Sequence, residues 1–295
     1  MSAALSMATG RPYGVRRVCA AWGVARSTFY AAPFEAEPAR RGPAPAVCDE
    51  ALYALIADDL ECSPFSGEGH RMVWARLRIG GVRVSRRRVL RLMREHNLLS
   101  PRRARQGKGR SHEGTITTAA PDLMWGTDGT RILTADEGMC WVFTAVDHFN
   151  AEVVGHHVCK RGDRFAALQP VAQGLLAHFG GVTAEAGRGL SLRMDNGTQY
   201  VSEHFRNQVR FWGVTASYAF IEQPQTNGVA ERFFRTLKEQ IVYGRIYRTV
   251  AEVREAVETF VERYNTQWLP EKNGFMSPSA TRAAWYARGT QGVAA

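Results

Sequence analysis

Residues 123–158 read LMWGTDGTRILTADEGMCWVFTAVDHFNAEVVGHHV, and this stretch decides the fold. Valine, threonine, isoleucine, tryptophan and phenylalanine crowd three runs, 123–133, 139–149 and 151–158, with the turn formers TADEG and FN between them. β-branched and aromatic side chains suit a pleated, half-buried surface, so three consecutive strands joined by tight turns are predicted. Downstream, FAALQPVAQGLLAHFG reads as a helix bent at Pro170, GLSLRMD as a strand, SEHFRNQVRFWG as a helix and VTASYAF as a strand. After the loop IEQPQTN, the segments GVAERFFRTLKEQIVYGRIY and VAEVREAVETFVERYN read as long helices. Three strands, a helix, then alternating strand and helix imply an α/β layer: a mixed sheet flanked by helices.

Upstream the texture is different. Residues 1–120 hold 20 Lys+Arg against 10 Asp+Glu, whereas 121–295 hold 18 of each, so the whole excess of +10 lies in the first part. A basic part joined to a balanced one suggests a nucleic-acid-binding module beside a catalytic or structural one; a solvated basic face with no partner is the plainer alternative. VRRVCAAWGVARSTFY (15–30) places Val15, Val18, Cys19 and Trp22 at helical spacing and breaks at Gly23, as a helix-turn-helix would. Four prolines in 33–46 read as a linker. In DEALYALIADDLE, Leu52, Leu55, Ile56 and Leu60 share one face. Further on, Ser85 is a candidate N-cap, Val89, Leu92 and Met93 are candidate core, and Arg83, Arg87, Arg91 and Arg94 form a stripe, with Arg86 beside it. Such a helix suits the DNA groove, although a solvated surface helix would look similar. PRRARQGKGRSHE adds Arg102, Arg103, Arg105 and Lys108, a basic arm expected on phosphates. The expected domains are therefore 1–46, 47–105, a basic linker 106–120, an α/β core 121–285 and a tail 286–295.

Within the core, acidic residues fall where ligands are usually held. Asp128 lies within the first strand, Asp195 ends LSLRMD before Asn196 and Gly197, and Glu231 sits one turn into a helix, with 35 residues between Asp195 and Glu231. Lys238 follows Glu231 by seven residues, two helical turns along the same face. Each has an ordinary reading: Asp-Gly and Asp-Asn-Gly form turns, an acid suits a helix N-terminus, and Glu231 with Lys238 makes a solvated face. Together they form a pattern that chance rarely assembles.

WGTDGT, MDNGTQY and NGVAERFFRTLK resemble the D, D(35)E core of the retroviral integrase superfamily, and most closely the OrfB transposase subunit of the insertion-sequence-three family. RMVWARLRIGGVRVSRRRVLRLMREHNLLSPRR resembles that family's helix-turn-helix module, and RYNTQWLPEKNGFMSPSATR its closing segment, so the resemblance spans about residues 12–285. It implies an RNase H-like catalytic fold with Asp128, Asp195 and Glu231 as metal ligands. It also implies an upstream reading frame joined to this one by frameshifting. Gly129 stands where relatives carry an apolar strand residue and is expected to loosen that strand. Three carboxylates in one pocket repel unless cations neutralise them, and hard oxygen donors select Mg²⁺ or Mn²⁺. Two ions about 3.5–4 Å apart stabilise the attacking and leaving oxygens of an in-line phosphodiester displacement. Lys238 is expected to hold a phosphate as a point charge, with Asn227 and Gln225 contacting DNA from the preceding loop. Strand cleavage and strand transfer follow as the expected activity. A DNA-binding protein that no longer cuts, or a simple nuclease, are the alternatives. Pairing two element ends with one triad per chain requires at least a dimer on double-stranded DNA.

Other classes are disfavoured. Five scattered cysteines, never spaced C-x-x-C, read as reduced thiols rather than disulfides or a zinc knuckle. His156 and His157 alternate across a strand and so cannot join Cys159 in one zinc site. The N-terminus lacks a signal-peptide pattern and Phe165–Gly180 is too interrupted to span a bilayer. A cytoplasmic, nucleoid-associated protein is expected.

Overall fold

The structure, a computed structural model, describes residues 3–31, 46–100, 116, 118–218 and 228–291, with backbone only at 289–291. The chain divides into two compact units, Met1–Cys48 and Asp49–Ala295. In the first, helices α1 (Gly14–Ala21) and α2 (Arg26–Tyr30) meet across a turn in which Gly23 takes a left-handed φ of +61°. Cys19 alone is buried among its described residues, while Trp22 and Tyr30 are exposed.

The second unit begins with three helices, α3 (Asp49–Cys62), α4 (His70–Ile79) and α5 (Arg86–Glu95). Ser85 caps α5, its hydroxyl accepting the Arg88 N–H at 3.3 Å, and Val89, Leu92 and Met93 are buried beneath it. Leu52 and Ile56 are fully buried, but Leu55, read from periodicity onto the same face, is exposed. One turn-to-turn stripe of α3 suffices to fill a three-helix core, and Leu55 falls at its rim.

The strands are β1 (Met124–Thr134), β2 (Gly138–Asp147), β3 (Val153–Cys159), β4 (Ser191–Met194) and β5 (Thr215–Tyr218). β1 to β3 form an antiparallel meander, and β4 and β5 run parallel to β1, giving the order β3-β2-β1-β4-β5. This is the RNase H-like arrangement of a mixed five-stranded sheet. One face buries Trp125, Phe143, Leu192 and Met194 against α6 (Arg164–Phe179), α7 (Thr198–Val201) and α8 (Glu203–Phe211). The other buries Ile132, Val142 and Val146 against α9 (Gly228–Leu237) and α10 (Val250–Gln267). Helix α6 runs unbroken through Pro170, and it lies so close to β3 that a Cβ on Gly155 would stand 2.0 Å from the Pro170 carbonyl oxygen.

Gly129 does not loosen β1, which pairs with β2 without interruption from Trp125 to Thr134. The Phe143 ring covers Gly129, and a Cβ there would meet it at 2.6 Å, so the glycine makes room for a core aromatic. Helix α9 ends earlier than its sequence pattern suggests. It passes into a π turn, Lys238–Val242, in which the Tyr243 N–H donates to the Lys238 carbonyl at 2.8 Å. The closing segment of the sequence contains a further helix, α11 (Pro278–Gln291). Its Arg282 is buried, with the guanidinium bonded to Asp122, Glu152 and, at 2.9 Å, Asp147.

Candidate active site

Alternation along β1 places Asp128 on the same face of the sheet as Ile132, towards α9. Its Oδ1 accepts the Gly129 N–H at 2.7 Å. Asp195 follows β4 directly, and β4 is the parallel neighbour of β1, with Gly126 opposite Arg193. The Asp195 Oδ1 accepts the Gly197 N–H at 2.8 Å, so the turn chemistry of Asp-Asn-Gly is real and also fixes the carboxylate at the strand end. Glu231 lies in the first turn of α9, a favourable place for an acid, and Lys238 follows two turns later at the start of the π turn.

Asp128 lies within electrostatic reach of the other three. Burial, then the negative charges of Asp195 and Glu231, push the Asp128 carboxyl up to about 6, against the pull of the Gly129 N–H and the Lys238 ammonium. Burial also raises Glu231, with Arg235 pulling the other way. The carboxylates thus feel one another, yet among the described residues no three His, Cys, Asp or Glu side chains stand close enough to share an ion as they are arranged. The donor set suits a hard divalent cation: it is all oxygen, and burial displaces Asp128 and Glu231 towards protonation.

Two neighbours were not foreseen from sequence. Tyr200 in α7 is fully buried, and its phenol is pushed well up by burial and then by the charge of Asp128. Arg193, two residues before Asp195 on the same face, is 6% exposed and donates to the Ser217 hydroxyl at 2.7 Å, tying β4 to β5 beside the site. An arginine in an otherwise apolar strand was the available signal for the second; a tyrosine among apolar residues gave none for the first.

The arginines of α5 divide into two sets. Arg91 binds Asp49 at 2.6 Å and Glu95 at 2.9 Å, and Arg88 binds Asp49 at 2.6 Å. Arg91 and then Arg88 hold the Asp49 carboxyl below its ordinary value. Arg86 lies 5.2 Å from the Trp74 ring centre and 3.4 Å from Glu271. Arg83, Arg87 and Arg94 are exposed and make no ion pair among the described residues. The expected stripe is therefore reduced, because acids on α3 and α5 neutralise Arg91. Arg102, Arg103, Arg105, Lys108, Gln225 and Asn227 lie outside the described residues. No described helix is long and apolar enough to cross a membrane.

Two models described as integrase core domain match residues 118–224 and 212–269, and an HTH-like domain matches 67–106. The chain is 26% identical to the transposase for insertion sequence element IS629 of Shigella sonnei over 285 residues, 93% of each chain. It is likewise 26% identical to the transposase InsD for insertion element IS2D of Escherichia coli (strain K12) over 217 residues, 71% of each. Among solved structures it is similar to a chain of the simian T-cell lymphotropic virus intasome in complex with PP2A regulatory subunit B56 gamma. That match has a TM-score of 0.45 at 15% identity, covering 76% of this chain and 74% of the other.

Proposed function

We propose that the chain, which resembles the OrfB-type transposases of the insertion-sequence-three family, cuts DNA at the ends of its element and joins those ends to a target. The observation that carries this reading is the company of Asp128: a half-buried carboxyl pushed up to about 6, with Asp195 and Glu231 adding negative charge and Lys238 opposing it. A site of this kind favours a bound cation over a bare set of carboxylates. Asp128, Asp195 and Glu231 would hold Mg²⁺ or Mn²⁺, two ions per site; when bound, such ions supply Lewis-acid stabilisation to the attacking and leaving oxygens.

The rest of the work falls to the chain itself. Lys238 holds a non-bridging phosphate oxygen of the scissile bond by charge. Arg83, Arg87 and Arg94 hold backbone phosphates and set the register of the duplex. In cleavage a water oxygen bonds to phosphorus, and the bond to the 3′ oxygen breaks to free a 3′-OH. In transfer that 3′ oxygen attacks a target phosphodiester, whose own 3′ oxygen leaves. Each step makes one P–O bond and breaks one, so no energy-rich cofactor is required. One chain offers one triad, and two ends require at least two copies on DNA.

The test is Mg²⁺-dependent nicking of a duplex carrying an element end. Asp195→Asn should keep the fold and DNA binding yet abolish nicking, since an amide replaces an anionic ligand. Undiminished nicking by this variant would sink the assignment.

A further inference from the structure

An aromatic plug, an amide clamp and an irregular turn coincide where the three-helix part meets the α/β layer. Phe65, in the loop between α3 and α4, is 5% exposed and joins the cluster of Ile241, Val257 and Phe260, edge-on to Trp268 at 5.0 Å. Beside it the Ser66 N–H donates to Gln240 Oε1 at 2.9 Å, and Gln240 Nε2 donates back to the Ser66 carbonyl at 2.8 Å. The Ser66 hydroxyl adds a longer bond of 3.4 Å to the same oxygen. From α4, Arg71 pairs with Glu271, and Trp74 stands edge-on to Phe275 at 5.6 Å.

Gln240 lies in the middle of the π turn that Lys238 opens. A π turn spaces its hydrogen bonds one residue wider than an α-helix, is rare, and recurs at functional sites. Here α9 ends at Leu237, so Lys238 stands at the junction between the α-helix and the π turn. The side chain that holds it reaches across 174 positions of sequence.

We propose that Gln240 is a positioning residue: its clamp on Ser66 fixes the π turn and keeps Lys238 on the Glu231 face, making the docked helical part a condition for gripping the scissile phosphate. This rests on the reading of Lys238 given above. DNA held by α5 and the phosphate held at the active site are then coupled within one chain, through Phe65 and Gln240.

The test is single-turnover nicking at saturating end DNA and Mg²⁺ by the full chain, comparing wild type, Gln240→Ala, Lys238→Ala and the double variant. Gln240→Ala should slow nicking by roughly tenfold to 10²-fold, the range that small misplacements cost, without weakening DNA binding. The double variant should be no slower than Lys238→Ala alone, because a residue acting only through the lysine has nothing left to position. Gln240→Glu keeps the acceptor for the Ser66 N–H and should recover part of the rate; it carries the same cycle if Gln240→Ala fails to melt cooperatively. Wild-type speed in Gln240→Ala, or losses that multiply in the double variant, would overturn the proposal. A wild type that never nicks would instead sink the transposase reading. The coupling is then read by hydrogen exchange: faster exchange of amides 238–243 in Gln240→Ala supports it, and unchanged exchange refutes it.

Discussion

Asp128 and Asp147 stand on neighbouring strands, and burial pushes both carboxyls up to about 6. Their company is opposite. Asp147 accepts N–H groups from Asp122 and Phe149 and meets the Arg282 guanidinium, which serves Asp122 and Glu152 as well. Asp128 has one backbone donor and two further negative charges, opposed by Lys238. One acidic cluster contains its counter-ion within the chain and serves as a joint; the other, on the function proposed above, leaves its charge to be balanced by something that binds. The position of a carboxyl's titration does not separate the two roles, but the sign of its neighbours does.

The contrast breaks most easily at Arg282. Arg282→Ala leaves Asp122, Asp147 and Glu152 without their cation in a buried place, and should cost about 3–5 kcal/mol of folding stability in a denaturant titration. Asp128→Asn should do the reverse in metal-free buffer, leaving stability unchanged or raising it by about 1 kcal/mol while removing nicking. Comparable destabilisation by the two variants would dissolve the distinction.

Mg²⁺ sharpens it. At about 100 times its Kd the ion should stabilise the wild type by roughly 2.7 kcal/mol, and the gain should vanish in Asp195→Asn but survive in Asp147→Asn. Differential scanning calorimetry with and without the ion measures both.

The pH dependence gives a smaller signal. Asp147 holds its proton more tightly in the folded chain than at its ordinary value of 3.8. Its contribution to stability is therefore complete below about pH 4 and is lost as pH rises through about 6. Read as the difference between wild type and Asp147→Asn, the wild type should lose about 2–3 kcal/mol of relative stability from pH 4 to pH 7. Taking the difference cancels other groups, including His148, which burial holds down at about 4 and whose titration works in the opposite sense. A flat difference would show that Arg282 compensates the burial in full.

The smallest effect tests the same rule on cations. Arg91 is neutralised by Asp49 and Glu95, whereas Arg87 has no ion-pair partner among the described residues. Arg87→Ala should reduce the log–log salt dependence of end binding by about one unit, and Arg91→Ala by much less. Equal slopes would show that the Asp49 pair opens when DNA arrives.

Much of this was legible in the sequence because it is local. The strand runs around Asp128, the Asp195 turn, the Ser85 cap and the buried face of Val89, Leu92 and Met93 all follow from residues within one turn or strand. What stayed hidden depends on distant partners. Arg282 was read only as part of a closing motif, because its carboxylates lie 130 to 160 positions upstream. Arg91 looked available for DNA because Asp49 is 42 positions away. Gly129 looked like a weakness because only the register with Phe143 reveals what fills its space. The π turn carries no compositional mark at all, since its sequence continues the helical pattern of α9.

The reach of Arg282 also sets an order of events during synthesis. Asp122, Asp147 and Glu152 leave the ribosome long before the arginine that neutralises them, and at about 5–20 residues per second the 160-residue interval from Asp122 lasts roughly ten to thirty seconds. Throughout that time the meander cannot bury those acids at low cost. The α/β layer is thus completed only when α11 has been made, so a nascent chain that already displays Asp128 and Asp195 still lacks the cation that closes its fold.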